Sequence, residues 1–149
     1  IVNNFGKEDI SHIKDQDYKL IINKMYDGLL KLIETVHFND NKPENFNVYL
    51  SSIRNEFANI YENNSWKLKD VDDVIEQIKD DKIAILDKKT AELNDTKLKD
   101  TYNTFKGRLY RSAEAVKNLN TNIKKIMYKK KQRIIDQKND LKKQNKIKN

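Results

Sequence analysis

Apolar positions in the first third of the chain recur at helical spacing. Ile21, Met25, Leu29, Leu32 and Val36 follow one another at steps of four and three, and Ile22, Tyr26, Leu30 and Ile33 widen the stripe. A stripe this wide marks a helix with one side buried. One helix is therefore expected from Asp15 to about Val36, with Asp15 or Asp17 as its N-cap. Gly28 lies in its middle, where Gly costs about 1 kcal/mol relative to Ala, so a packing reason is expected. Residues 1–14 read as a lead-in segment whose Phe5, Ile10 and Ile13 dock on the domain.

A polar stretch from His37 to Phe46 holds the one proline, Pro43. The hydrophobic period then shortens toward two. Asn47–Ile53, Phe57–Tyr61 and Trp66–Leu68 read as three strands of a small antiparallel meander. Arg54-Asn55 and Glu62-Asn63-Asn64 suit its turns, because Asn tolerates positive φ. Asp70 then caps a helix with apolar face Val71, Val74, Ile75, Ile78, Ile85, Leu86 and Leu93, whose middle Asp80-Asp81-Lys82 is expected to distort. Asn94-Asp95-Thr96 closes it. From there Leu98, Tyr102, Phe105, Leu109, Ser112, Val116, Leu119, Ile123 and Ile126 alternate steps of four and three. That is the seam of a coiled coil, or of a long helix lying along a bundle. Beyond Ile126 the seam meets Lys130, and Ile134, Ile135, Leu141 and Ile147 are too sparse to continue it. Disorder, or order only with a partner, is expected after about Gln137. The expected class is α+β, mostly α: an α+β body over residues 1–95, then a long helix with a basic tail over residues 96–149.

Composition narrows the function classes. Charged residues make up 36% of the chain and hydrophobic ones 37%, with three Gly and one Pro, which suits solvated helices around a modest core. No Cys is present, so disulfides, zinc fingers and iron–sulfur ligation are excluded within these residues, and two His leave little for any transition-metal site; no cofactor is expected. No apolar run approaches the roughly 20 residues that span a bilayer, so no membrane partner is expected. The first residues lack the basic and apolar pattern of a signal peptide. The start at Ile1, without Met, suggests a fragment.

The formal charge of +7 is unevenly placed. Residues 122–149 hold 11 Lys/Arg and two Asp, a balance of +9; residues 1–121 hold 19 basic and 21 acidic residues, a balance of −2. The block Lys124, Lys125, Lys129, Lys130, Lys131 and Arg133 is therefore the candidate phosphate-binding set, acting through counterion release. A solvated helix face is the plainer explanation of such a run.

The 26 Lys, 19 Asn and 17 Ile point to an AT-rich genome. Three runs sharpen that hint: Val2-Asn3-Asn4-Phe5-Gly6-Lys7-Glu8-Asp9-Ile10-Ser11; Thr35-Val36-His37-Phe38-Asn39-Asp40-Asn41-Lys42-Pro43-Glu44-Asn45-Phe46-Asn47-Val48-Tyr49-Leu50; and Trp66-Lys67-Leu68 followed by Asp72-Asp73-Val74-Ile75. Together they resemble an uncharacterised domain of giant DNA virus proteins, mimivirus-like ones especially. In those proteins the domain typically follows a zinc-finger-like Cys/His segment. The resemblance covers most of residues 1–90. It implies a source and a domain context, with an intracellular setting in host cytoplasm, viral factory or virion. It implies no mechanism.

Three constellations could carry chemistry. His37-x-Asn39-x-Asn41-x-Pro43-Glu44-Asn45-x-Asn47 superficially resembles the HNH (ββα-metal) nuclease core, in which a His activates water beside a metal. Only one His lies here, a helix precedes it instead of a strand, and no second His occurs between Asp70 and Asn94. The plainer expectation is a loop shaped by Asn and Pro, with His37 closing the first helix. Asp70, Asp72 and Asp73 could hold a cation, but a helix start accounts for all three. Trp66 beside Tyr49 and Tyr61 could stack bases, although packing across strands is the commoner role. No catalytic residue is assigned. The leading expectation is a non-catalytic interaction or assembly module, with a protein partner or homo-oligomer formed through Leu98, Tyr102, Phe105, Leu109, Val116, Leu119, Ile123 and Ile126. The alternative is a nucleic-acid-associated module, binding DNA or RNA through its basic tail beside a zinc finger outside this chain. A diverged HNH-like nuclease is the remote third.

Overall fold

The computed structural model describes the backbone of residues 1–148 and the side chains of residues 1–144. It is an α+β fold, mostly α. Helices α1 (Asp15–Asn23) and α2 (Tyr26–His37) come first, followed by a 3₁₀ turn over Pro43–Asn45. Strands β1 (Val48–Tyr49), β2 (Phe57–Glu62) and β3 (Ser65–Asp70) follow. Four helices complete the chain: α3 (Val71–Leu93), α4 (Thr96–Arg111), α5 (Ala113–Lys129) and α6 (Lys131–Lys148).

The first expected helix is two helices. The chain breaks at Lys24-Met25, where Met25 takes φ 52°, and restarts at Tyr26. No Gly or Pro announces the break. Just beyond the break α1 and α2 pack closely at Gly28. A Cβ on Gly28 would lie 1.7 Å from the Ile21 carbonyl oxygen, so only glycine lets the two backbones approach.

The meander is antiparallel in the order β1-β2-β3, with Val48 opposite Ile60 and Asn59 opposite Leu68. Asn63 and Asn64 both take positive φ, 51° and 65°, in the β2–β3 turn, as a tight right-twisted hairpin requires. β1 is shorter than the expected Asn47–Ile53. After Tyr49 the strand leaves its neighbour, because the Leu50 N–H donates to the Met127 carbonyl of α5 at 3.3 Å. Asp70 caps α3, its Oδ1 accepting from the Asp72 and Asp73 amides at 2.9 and 3.1 Å. α3 runs unbroken through Asp80-Asp81-Lys82.

The expected single helix from residue 96 is three helices. Ser112 breaks it with extended backbone (φ −118°, ψ 108°) and caps α5 by accepting from the Ala115 amide at 3.1 Å. Lys130 marks the second break. The seam itself exists, but it faces inward. Leu98, Tyr102, Phe105, Leu109, Leu119 and Ile123 are all at most 5% exposed and belong to one core with Phe5, Leu29, Leu32, Ile78 and Leu86; Val116 and Ile126 are half-buried against it. α4 lies on α1 and α3, and α5 lies on α2, α3 and β1. Self-association through this seam therefore has no free surface to use. The hydrophobic effect has already closed the seam within the chain.

Past Ile123 the buried row passes to Met127 and Ile134 (0% and 1% exposed). The backbone of α6 stays helical past Gln137, where order was expected to end, through to Lys148. Ile147 lies outside the described side chains. Core residues on both sides of the 95/96 boundary form one cluster, so the basic tail is anchored on the body.

Candidate functional site

Two groups of polar residues stand out, one buried and one on the surface. The buried group gathers four distant parts of the chain: Glu8 of the N-terminal segment, His37 at the end of α2, Asn47 before β1 and Lys82 in α3. His37 is fully buried and Lys82 is 1% exposed. The Asn47 amide nitrogen donates to Glu8 Oε2 at 2.7 Å and to the carbonyls of Asn3 and Asn4. Its oxygen is thereby left facing His37 Nδ1 at 2.9 Å, so Nδ1 carries the proton. The bare Nε2 accepts from Lys82 Nζ at 2.6 Å. Glu8 Oε1 lies 3.7 Å from Lys82 Nζ and 3.8 Å from His37 Nε2, and Glu8 Oε2 also accepts from the Gly6 amide at 2.6 Å.

Every member thus has partners, as buried polar groups require. Burial, reinforced by the neighbouring Lys82 charge, holds His37 well below the usual imidazole value, so its ring is neutral. Burial also lowers Lys82, with Glu8 and Asp81 opposing the shift.

This arrangement settles what the His37–Asn47 run does in the fold. His37 and Asn47 bond each other, while Asn45 is buried and ties the turn to the lead-in segment through Asp9 and Asn3. Both His37 nitrogens are engaged. Among the described residues, no group of three or more His, Cys, Asp or Glu side chains could hold a metal ion. Sequence reasoning missed Glu8 and Lys82. A signal for Lys82 was present, because it falls on the apolar row Val71, Ile75, Ile78, Leu86 at a step of four from two of its members.

The surface group lies on α5. Its inner side carries Leu119, Ile123 and Met127. Its outer side carries Lys117, Asn118, Thr121, Asn122, Lys125, Tyr128 and Lys129, all exposed, with Lys124 and Lys130 half-buried at the margins. No carboxylate occurs between Glu114 and Asp136. None of Lys117, Lys124, Lys125, Lys129, Lys130 and Lys131 pairs with a described carboxylate. Lys131 lies over the Tyr128 ring, 3.5 Å from its centroid.

Arg133, expected in the same set, is committed elsewhere. It pairs with Asp40 at 3.2 Å and donates to the Phe38 carbonyl at 3.2 Å. The groove beside it, about 580 Å³, is lined by Asp40, Glu44, Asp136 and Asp140. The basic surface is therefore α5 and the start of α6, and acids flank its continuation.

Trp66 belongs to the outer face of the sheet. It meets Tyr49 and Tyr61 edge-on at 5.3 and 5.6 Å between centroids, and Lys138 of α6 lies 4.8 Å from its centroid while donating to the Tyr49 hydroxyl at 2.9 Å. These rings anchor α6 on the sheet. Asp70, Asp72 and Asp73 form the N-terminus of α3, and the Asp70 cap accounts for their arrangement.

Among the described residues no helix is long and apolar enough to cross a membrane. No known protein family, curated protein or solved structure matches this chain.

Proposed function

We propose that this chain is a nucleic-acid-binding module that holds phosphates on the outer face of α5 and catalyses no reaction. The observation that carries this reading is the two-sidedness of α5. One side is core, and the other presents Lys117, Lys124, Lys125 and Lys129, continued by Lys130 at the break and Lys131 at the start of α6, with no carboxylate among the six. Within α5 the twelve residue steps from Lys117 to Lys129 make a strip about 18 Å long, and Lys130 and Lys131 extend it across the break into α6. The 23 acids lie elsewhere, and among the described residues none of these lysines pairs with a carboxylate. Like charges held this close repel, so the strip favours a polyanion that releases counterions as it binds. Lysine gives phosphate contact without base discrimination, so affinity with little sequence preference is expected.

A duplex-binding titration across a salt series tests it. The slope of log affinity against log salt should fall by about 3.6 in magnitude when Lys124, Lys125, Lys129 and Lys130 are all changed to Gln, at about 0.9 for each phosphate no longer neutralised. An unchanged slope, or no binding at 50 mM salt, would sink the reading.

A further inference from the structure

At the α4–α5 corner the basic face meets a cavity that the lysine strip does not explain. A groove of about 710 Å³ lies between the end of α4, the start of α5 and the first turn of α2, with Arg108, Arg111 and Tyr26 in its wall. A second hollow of about 230 Å³ shares Tyr26 and Ala115 with it and extends along α5 past Asn118 to Asn122. Neither arginine pairs with a described carboxylate. The one acid in either lining is Asp27, in the smaller hollow. Above Gly107 the space is open, with nothing within 4 Å of where a Cβ would stand. Tyr26 is half-buried and fixed edge-on to Phe105 at 5.1 Å between centroids, so its ring position is set by the core.

The groove also leads onto the strip. Arg111, Ala115, Asn118, Asn122, Lys125 and Lys129 follow one another at steps of four and three, and from Ala115 on they form one row of α5.

We propose that this groove is a subsite for single-stranded nucleic acid: Arg108 and Arg111 hold backbone phosphates, the Tyr26 ring takes a base, and the row through Asn118 and Asn122 leads the strand onto the lysines. The proposal rests on the reading of α5 above and adds a strand class to it. The chemistry is that of single-strand binders, in which a basic groove follows the backbone and fixed aromatic rings accept bases of any type. Guanidinium suits the phosphate end because its planar fork donates two bonds to one phosphate. A ring that takes a base needs that base unpaired and free of its neighbours, which a few single-stranded nucleotides offer and the side of a duplex does not.

Fluorescence anisotropy with labelled oligo(dT) and with a duplex of equal length, each over a salt series, decides the matter. Changing Arg108 and Arg111 together to Gln should weaken oligo(dT) binding at least tenfold and lower its salt slope by about 1.4, at about 0.7 per phosphate on single strands, while duplex binding changes less than twofold. Tyr26→Leu, with helicity checked by circular dichroism, should weaken oligo(dT) binding several-fold without changing that slope. Unchanged oligo(dT) affinity in the arginine double variant overturns the subsite and leaves the lysine strip standing. Equal losses on duplex and single strand also overturn it, since they would report only the general field. Failure of the unaltered chain to bind either probe overturns both readings.

Discussion

Lys82 and Lys125 differ in little but address. Lys82 is enclosed in the core among Glu8, His37 and Asn47, and its ammonium donates to a neutral ring. Lys125 stands exposed on the outer side of α5, paired with no carboxylate among the described residues. One lysine joins the lead-in segment, α2 and α3. The other leaves its charge available to something outside the chain. The contrast teaches that a count of positive residues says little about binding. What matters is which charges the fold has already answered. By that measure Arg133 and Lys138, both in the basic tail, are largely occupied, whereas Lys124, Lys125, Lys129 and Lys130 are free to act.

The strongest way to break this contrast is to change the buried lysine. Lys82→Met keeps the volume but strands the Glu8 carboxylate and the His37 Nε2 lone pair. Removing one partner of a buried charged group costs about 3–5 kcal/mol, so a large drop in the urea midpoint is expected. A loss below about 1 kcal/mol would mean that the junction contributes little to stability. Gly28→Ala tests the neighbouring backbone contact. Its methyl would meet the Ile21 carbonyl, and a loss of about 3 kcal/mol, the upper range for overpacking, is expected in the same measurement.

Next comes pH. His37 is lowered in the folded chain, so between its folded value and about 6.5 the unfolded state binds the extra proton. Its contribution is fully present above about pH 7 and is lost as pH falls below the unfolded value toward the folded one. Stability should therefore drop on acidification from pH 6.5 by up to about 1.4 kcal/mol per pH unit. His37→Gln should flatten this dependence in unfolding curves taken at stepped pH; an unaltered slope would assign it to other groups. Lys138→Ala should cost about 1 kcal/mol through its cation–π contacts, and Trp66 fluorescence should shift as its cover is removed. The smallest effect belongs to the exposed side of the comparison. Gln at Lys124, Lys125, Lys129 and Lys130 should each change stability by less than about 0.5 kcal/mol, even as the salt dependence of DNA binding falls. A larger loss would show that these lysines serve the fold after all.

Much of the architecture is legible in the residue pattern. The mixed class, the three-stranded meander, the Asp70 cap and the turn at Asn63-Asn64 all follow from local periods and propensities, which act within a few residues. The breaks are less legible. Met25 carries no breaking signal, although it takes positive φ where α1 turns back to pack on α2 at Gly28. Ser112 did carry one: it is the lone polar member of the seam and a good N-cap, followed by Ala-Glu. The shift of the buried row from Ile126 to Met127 depends on where β1 lies, and the sequence spacing of α5 alone cannot place β1.

By itself, the sequence determined the periodicities, and with them the elements and the concentration of positive charge after residue 121. Spacing along one chain dictates which side chains share a face, since helix and strand geometry are local. Only the tertiary structure decided which face was already taken. It turned the seam from Leu98 inward, closed His37 and Lys82 into one junction, matched Arg133 with Asp40, and left α5 with an unanswered basic side. Those outcomes depend on contacts between residues as far apart as Glu8 and Lys82 or Phe38 and Arg133. Burial and charge pairing are properties of neighbours in space, and the chain acquires those neighbours only by folding.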